Sequence, residues 1–179
     1  SILVDASQPV TAIEPWKDQI EAIVLTHGHY DHMANLHSLA KLCDAPVYIG
    51  EYDLAFLNDD TLCLAGHFGE HAPSIAASPL ADGYTIGEFI VMHTPGHTRG
   101  SICLYREEDG ALITGDTLFP HGSFGRSDLP TGSHADLVTS INRLAALGID
   151  SLWCGHDIPV PSSAMRDVLL SQAEVTRYG

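Results

Sequence analysis

The run Thr26-His27-Gly28-His29-Tyr30-Asp31-His32 places three imidazoles and a carboxylate within six residues, a density of metal-binding side chains that packing does not require. Neutral imidazole and carboxylate both ligate divalent ions, and a mixed set of this kind suits zinc, iron, manganese or nickel. Three further ligand-type side chains follow, each just beyond an apolar run. His97 comes after Val91-Met92-His93-Thr94-Pro95-Gly96, Asp116 after Leu112-Ile113-Thr114-Gly115, and His156 after Leu152-Trp153-Cys154-Gly155. The shared order of strand, small residue and ligand is the informative part, because strand exits open on the edge crevices where sites assemble.

The elements that must position these groups follow from periodicity. Ile2-Leu3-Val4 reads as a strand closed by a turn at Asp5-Ala6-Ser7-Gln8-Pro9, and Pro15 to Ile20 as a short helix with Pro15 in its first turn. Ala22-Ile23-Val24-Leu25 is a short apolar run with β-branched members, hence a buried strand. His32 through Cys43 carries Met33, Leu36, Leu39, Ala40 and Cys43 at helical spacing. The histidine cluster therefore sits on a strand-to-helix turn where Gly28 permits a backbone path other residues resist. Val47-Tyr48-Ile49 reads as a strand, Glu51 to Asn58 as a helix with Leu54 and Leu57 inward, and residues 59–82 as a long irregular crossing. From Thr85 the pattern turns to sheet: Phe89 to Met92, Ser101 to Tyr105 and Ala111 to Thr114, the last two joined by a hairpin at Glu107-Glu108-Asp109-Gly110. A Gly- and Pro-rich loop spans Phe119 to Gly132. His134 to Leu147 is an amphipathic helix ended by Gly148, Ser151 to Cys154 a short buried strand, and Ser163 to Tyr178 a closing helix. Sheet layers covered by helices fit this order best.

Composition narrows the classes. With 179 residues, 45% of them apolar, one sizeable core is expected. No apolar run reaches the length of a membrane span and no leader pattern opens the chain, so a cytoplasmic address with no membrane partner is the expectation. A formal charge of −15, with Lys17 and Lys41 the lysines, repels phosphate backbones and argues against a nucleic-acid partner. Cys43, Cys63, Cys103 and Cys154 show no C-x-x-C spacing, and Cys103 and Cys154 read as buried thiols in apolar runs.

The ordered set His27-x-His29-x-Asp31-His32, then His97, Asp116 and His156, resembles the metallo-β-lactamase superfamily across nearly the whole chain. The resemblance implies an α/β fold, the four-layer αββα sandwich, as a single domain over residues 1–179. Members usually carry one or two strands before the position of Ile2-Leu3-Val4, so the first sheet is expected to present an edge, with a homodimer as one way of covering it. By the same resemblance, His27, His29 and His97 hold one divalent ion, Asp31, His32 and His156 hold a second, and Asp116 bridges them. Zinc is the expected metal, with iron or manganese as alternatives. Two cations close together need a shared anionic ligand, which a carboxylate supplies, and zinc lowers the pKa of bound water from 15.7 to about 7. Asp31 is placed to accept that hydroxide's proton as a hydrogen bond, so Asp31 and Asp116 are the expected catalytic carboxylates.

The run Gly115-Asp116-Thr117-Leu118-Phe119, followed by Gly125-Arg126-Ser127-Asp128-Leu129-Pro130-Thr131-Gly132, is similar to the glyoxalase II-like, hydroxyacylglutathione hydrolase-like branch. That implies a thioesterase acting on glutathione-type thioesters such as S-lactoylglutathione, with a small-molecule substrate as its partner. Aspartate at 116 weighs against true β-lactamases, which generally have cysteine or serine there. The nearest alternative is a persulfide dioxygenase-like mononuclear iron oxygenase, which typically shows Gly-Arg-Thr-Asp-Phe-Gln where this chain has Gly125 to Pro130; a lactonase of the same fold is another. The extra helical domain of glyoxalase II has no counterpart here, which favours a looser thioesterase. A non-catalytic metal-binding or scaffold role is disfavoured by a ligand set with every position filled.

Remaining candidates have simpler readings. Arg126 either forks onto a substrate carboxylate or pairs with Asp128 or Asp116 to order its loop. His93 supports the site rather than ligating, His37 is exposed, and His71 and His121 could reach the crevice. Tyr30 is a wall residue, and Ser101 has no base at a spacing that would make it a nucleophile.

Overall fold

The computed structural model describes residues 1–178, which form two compact units, Ser1–Leu80 and one beginning at Ala81. The first unit contains a four-stranded sheet in the order β1-β2-β3-β4: β1 (Ile2–Val4), β2 (Ala22–Leu25), β3 (Val47–Gly50) and β4 (Ser78–Leu80). All neighbours are parallel, with Val4 opposite Val24, Leu25 opposite Ile49 and Ile49 opposite Pro79. Parallel pairing needs crossovers, and the chain supplies them as α1 (Val10–Ile13) with a 3-10 helix at Glu14–Gln19, then α2 (Leu36–Cys43), then a 3-10 helix at Glu51–Asn58. Ile23, Leu25, Val47 and Ile49 on one sheet face pack with Met33, Leu36, Leu39, Phe56 and Leu57 to form this unit's core.

The second unit holds a five-stranded sheet in the order β5-β6-β7-β8-β9: β5 (Thr85–Ile86), β6 (Phe89–His93), β7 (Ile102–Arg106), β8 (Ala111–Gly115) and β9 (Ser151–Cys154). Pairing is antiparallel up to β8 and parallel between β8 and β9. β6, β8 and β9 therefore run the same way, and His97, Asp116 and His156 all follow strands that exit at one edge of this sheet. α3 (His134–Leu144) and α4 (Met165–Arg177) cover one face, with Leu137, Ile141, Leu144, Val168 and Val175 against Met92, Cys103, Leu112 and Leu152. Ser133 caps α3 by accepting from the Asp136 N–H.

Several expected boundaries move. The helix expected from His32 starts at Leu36, because Tyr30–His32 form a 3-10 turn and Met33 leaves the helical region at φ −135°. The helix expected from Pro15 to Ile20 is a 3-10 helix at Glu14–Gln19, and Glu51–Asn58 is likewise 3-10. Residues 59–82 are not wholly irregular: they contain a 3-10 turn at Ala65–Phe68 and strand β4, which Pro79 disguised and which stands at a sheet edge where proline is tolerated. α3 stops at Leu144 in place of Leu147, its last turn tightening as Ala146 and Leu147 bond to carbonyls three residues back. β9 is a sheet edge, so Trp153 is 46% exposed and Cys154 half-buried, where a buried strand and a buried thiol were expected. Among the described residues no helix is long and apolar enough to cross a membrane.

Candidate metal centre

In the first unit the ligand-rich run begins where β2 stops at Leu25. The turn is tight because Gly28 passes against the Phe56 side chain, and a Cβ at position 28 would stand 2.3 Å from Phe56 Cβ. The Gly28 N–H donates to the buried Asp53 carboxylate at 3.0 Å, and the Tyr30 N–H to the Cys63 carbonyl at 2.8 Å. These bonds hold His27, His29 and His32 buried together, the His27 ring 4.8 Å from that of His29 and 4.2 Å from that of His32. His27 Nε2 lies 3.1 Å from His29 Nδ1. Two nitrogens on one tetrahedral ion at zinc–nitrogen distances stand about 3.3 Å apart, so this pair is spaced for a shared ion. Donor atoms of His27 and His32, and of Asp31 and His32, lie within 4.8 Å of one another.

Asp5, at the exit of β1, organises this group. Its Oδ1 accepts from the Thr26 N–H at 2.8 Å, and its Oδ2 accepts from His32 Nδ1 at 2.7 Å. The Thr26 hydroxyl donates to the same carboxylate, 2.9 Å from Oδ2. Having given its proton to Asp5, that hydroxyl can only accept from His27 Nδ1, 3.2 Å away. Both rings are thus fixed with the proton on Nδ1 and the lone pair on Nε2, the state in which an imidazole binds metal. By local pattern alone Asp5 is a turn residue. The available signal was the one that found the other ligands: an apolar strand ending in a ligand-type side chain.

The second unit supplies His97, Asp116 and His156. The Arg126 carbonyl accepts from His97 Nδ1 at 2.7 Å, which leaves the lone pair on His97 Nε2, 3.6 Å from Asp116 Oδ2. The same carboxylate oxygen lies 3.4 Å from His156 Nε2. Two acceptors facing each other at such a distance repel unless a proton or cation stands between them, and by that observation the donors fit a divalent metal. Gly125 makes the approach feasible, since a Cβ there would fall 1.9 Å from the Asp116 carbonyl oxygen and 3.2 Å from His97 Nδ1. The His/Asp groups of the chain are compatible with binding divalent metals.

Other candidates resolve individually. Arg126 is forked onto Asp128 at 2.9 and 2.8 Å and is largely exposed. His93 Nε2 donates to the Arg99 carbonyl at 2.9 Å, a supporting contact. His71 pairs with Asp60, His121 lies 3.5 Å from Asp167, and His37 is exposed. Tyr30 is half-buried, its ring 5.4 Å from that of Phe68. Burial pushes the thiols of Cys103 and Cys154 up to about 11, so both are protonated at neutral pH.

Residues 1–156 match the family described as the metallo-beta-lactamase superfamily. An uncharacterised protein of Aquifex aeolicus is 39% identical over 87% of this chain and 78% of its own length. A probable metallo-hydrolase of Streptococcus pyogenes is 34% identical over 79% of this chain and 67% of its own. A hydroxyacylglutathione hydrolase of Thermosynechococcus vestitus is 33% identical over 87% of this chain, which spans only 58% of that protein. Among solved structures, TTHA1623 in a di-iron-bound form has 29% identity and a TM-score of 0.80, covering 96% of this chain and 85% of the other. The BLEG-1 B3 metallo-beta-lactamase has 29% identity and a TM-score of 0.79, with 94% and 83% covered. The α/β fold with two sheets and helices is the one these structures share with this chain.

Proposed function

Because this chain belongs to the metallo-beta-lactamase superfamily and is a metallo-hydrolase, we propose that it is a thioesterase, cleaving glutathione-type thioesters to an acid and a thiol. The observation that carries the reading is Asp116, one of whose oxygens faces both His97 and His156. In this reading His27, His29 and His97 would hold one divalent ion, Asp31, His32 and His156 would hold a second, and Asp116 would be shared. Such ions supply hydroxide at neutral pH and polarise the carbonyl under attack.

The chain's own residues do the rest. Asp5, directly and through Thr26, keeps His32 and His27 in the ligating tautomer, and the Arg126 carbonyl does the same for His97. Asp31, with a third of its side chain exposed, accepts a hydrogen bond from the attacking group and so aims it at the thioester carbon. The departing thiolate has an ordinary pKa of about 8.5 and leaves without a strong general acid. Arg126 is the candidate for a substrate carboxylate, at the cost of its exposed pairing with Asp128.

The test is release of free thiol from S-lactoylglutathione by protein reconstituted with zinc, iron or manganese, beside an Asp116→Ala variant. Metal-dependent thiol release that falls at least a hundredfold in the variant supports the reading. Oxygen consumption on glutathione persulfide with a single iron per chain, or ring opening of a β-lactam or lactone without thioester cleavage, overturns it.

A further inference from the structure

Thr94 stands three residues before His97, and Thr117 directly follows Asp116. Their hydroxyls meet at 3.1 Å, and both side chains are fully buried. Each ligand turn also has an anchor of its own. The Pro95 carbonyl accepts from Ser140 Oγ on α3 at 2.7 Å, and the Gly96 carbonyl from the Ser133 N–H at 2.8 Å. The Asp116 turn leans on the strand exit beside it, the Gly155 N–H donating to the Gly115 carbonyl at 2.8 Å. The hydroxyl pair thus ties the two turns directly; their other link runs through one segment, the Gly125 N–H donating to the Thr117 carbonyl at 3.3 Å and the Arg126 carbonyl accepting from His97 Nδ1 at 2.7 Å. Thr94 Oγ1 has weaker company in Cys103 Sγ at 3.3 Å and the Ser101 carbonyl at 3.5 Å.

We propose that Thr94 and Thr117 are positioning residues whose hydroxyl bridge sets the spacing between His97 Nε2 and Asp116 Oδ2. The proposal rests on the reading of His97 and Asp116 as metal ligands. Two oxygens sharing a hydrogen approach to 3.1 Å, whereas a methyl in the same place needs about 3.5 Å or more. Valine, the same size as threonine, therefore forces the turns apart by roughly half an ångström and leaves the opposing hydroxyl without its partner. Metal–ligand distances tolerate only about 0.2 Å. The displacement exceeds that tolerance, and metal affinity is where it registers.

The experiment measures cobalt(II) and zinc affinity by chelator competition, with the cobalt visible spectrum, in wild type, Thr94→Val, Thr117→Val, Thr94→Ser, Thr117→Ser and Asp116→Ala. Loss of a partner that orients a metal ligand costs about 10–100-fold in affinity, and that loss is expected in each valine variant together with an altered cobalt spectrum. Serine keeps the hydroxyl, so both serine variants should stay within about threefold of wild type. Serine variants that lose affinity as the valine variants do overturn the proposal, and this comparison holds even if the valine proteins fold poorly. Valine variants that bind like wild type while Asp116→Ala does not also overturn it, leaving the ligand assignment intact. Wild-type affinity in Asp116→Ala removes the ligand assignment itself.

Discussion

Replacing Asp5 with asparagine should shift a proton from one ring nitrogen of His32 to the other. The carboxylate accepts three donors: the Thr26 N–H at 2.8 Å, the Thr26 hydroxyl at 2.9 Å and His32 Nδ1 at 2.7 Å. Asparagine can keep its carbonyl oxygen toward Thr26, but its amide nitrogen then faces His32 Nδ1 with hydrogens of its own. Two donors cannot share that contact. The ring relieves it by moving its proton to Nε2, the atom otherwise left to ligate. The stability cost is modest, about 1–2 kcal/mol for one charge-assisted bond replaced by a neutral one. Asp5→Ala loses all three bonds and strands the buried Thr26 and His32 donors, a cost of about 3–6 kcal/mol and a large part of a typical domain's stability. The asparagine variant is therefore the informative one. It should fold, show the His32 tautomer change in nitrogen-15 NMR of the metal-free protein, and bind zinc about 10–100-fold more weakly. An Asp5→Asn protein with the wild-type tautomer and unchanged zinc affinity would refute the reasoning, because the role given to Asp5 would then belong to some other group.

Three further outcomes are expected. Gly125→Ala must move either its own segment or Asp116, since its Cβ would stand 1.9 Å from the Asp116 carbonyl oxygen; thermal melting should show a loss of about 1–3 kcal/mol and metal content should drop. Burial raises the Asp82 carboxyl, but the Arg143 guanidinium and the His93 N–H outweigh it and hold the group below the usual value of 3.8. That stability is present above pH 3.8 and is lost as pH falls through the lower folded value. Arg143→Gln should therefore lower the unfolding free energy from urea melts at pH 6, by under about 1 kcal/mol for so exposed a pair, and the gap should shrink as pH falls below 3.8; a gap that widens in acid contradicts the assignment. With burial pushing Cys103 up to about 11, roughly one thiol in ten thousand is ionised at pH 7. Mass spectrometry after maleimide treatment should find Cys103 labelled only once urea is present.

The candidate ligands are more legible in the sequence than the contacts that hold them in place. His27, His29, Asp31 and His32 stand in one short run, and His97, Asp116 and His156 each follow a readable apolar strand, so local pattern alone picks them out as candidates. β6, β7 and β8 were equally plain because β-branched and aliphatic runs end in glycine or a hairpin turn. What pattern does not carry is contact between distant segments. Asp5 works on Thr26 and His32, 21 and 27 residues away, and Asp53 on Gly28, 25 residues away. Asp5 has the strand-exit position of the other ligand-type residues but remote partners, and nothing in the local spacing of Asp53 distinguishes it from a solvated helix face. β4 was hidden by Pro79, whose missing N–H is harmless only because that strand lies at the edge. The 3-10 character of Tyr30–His32 and Glu51–Asn58 likewise follows from how those turns pack, with Phe56 wedged against Gly28, and not from helix propensity.

Metal content per chain, measured by elemental analysis after reconstitution and gel filtration, tests the central claim most directly. Two equivalents of zinc, iron or manganese in wild type, and fewer in Asp116→Ala, are the predicted result. Protein that folds and retains no divalent ion, or one whose metal content ignores the loss of Asp116, contradicts it.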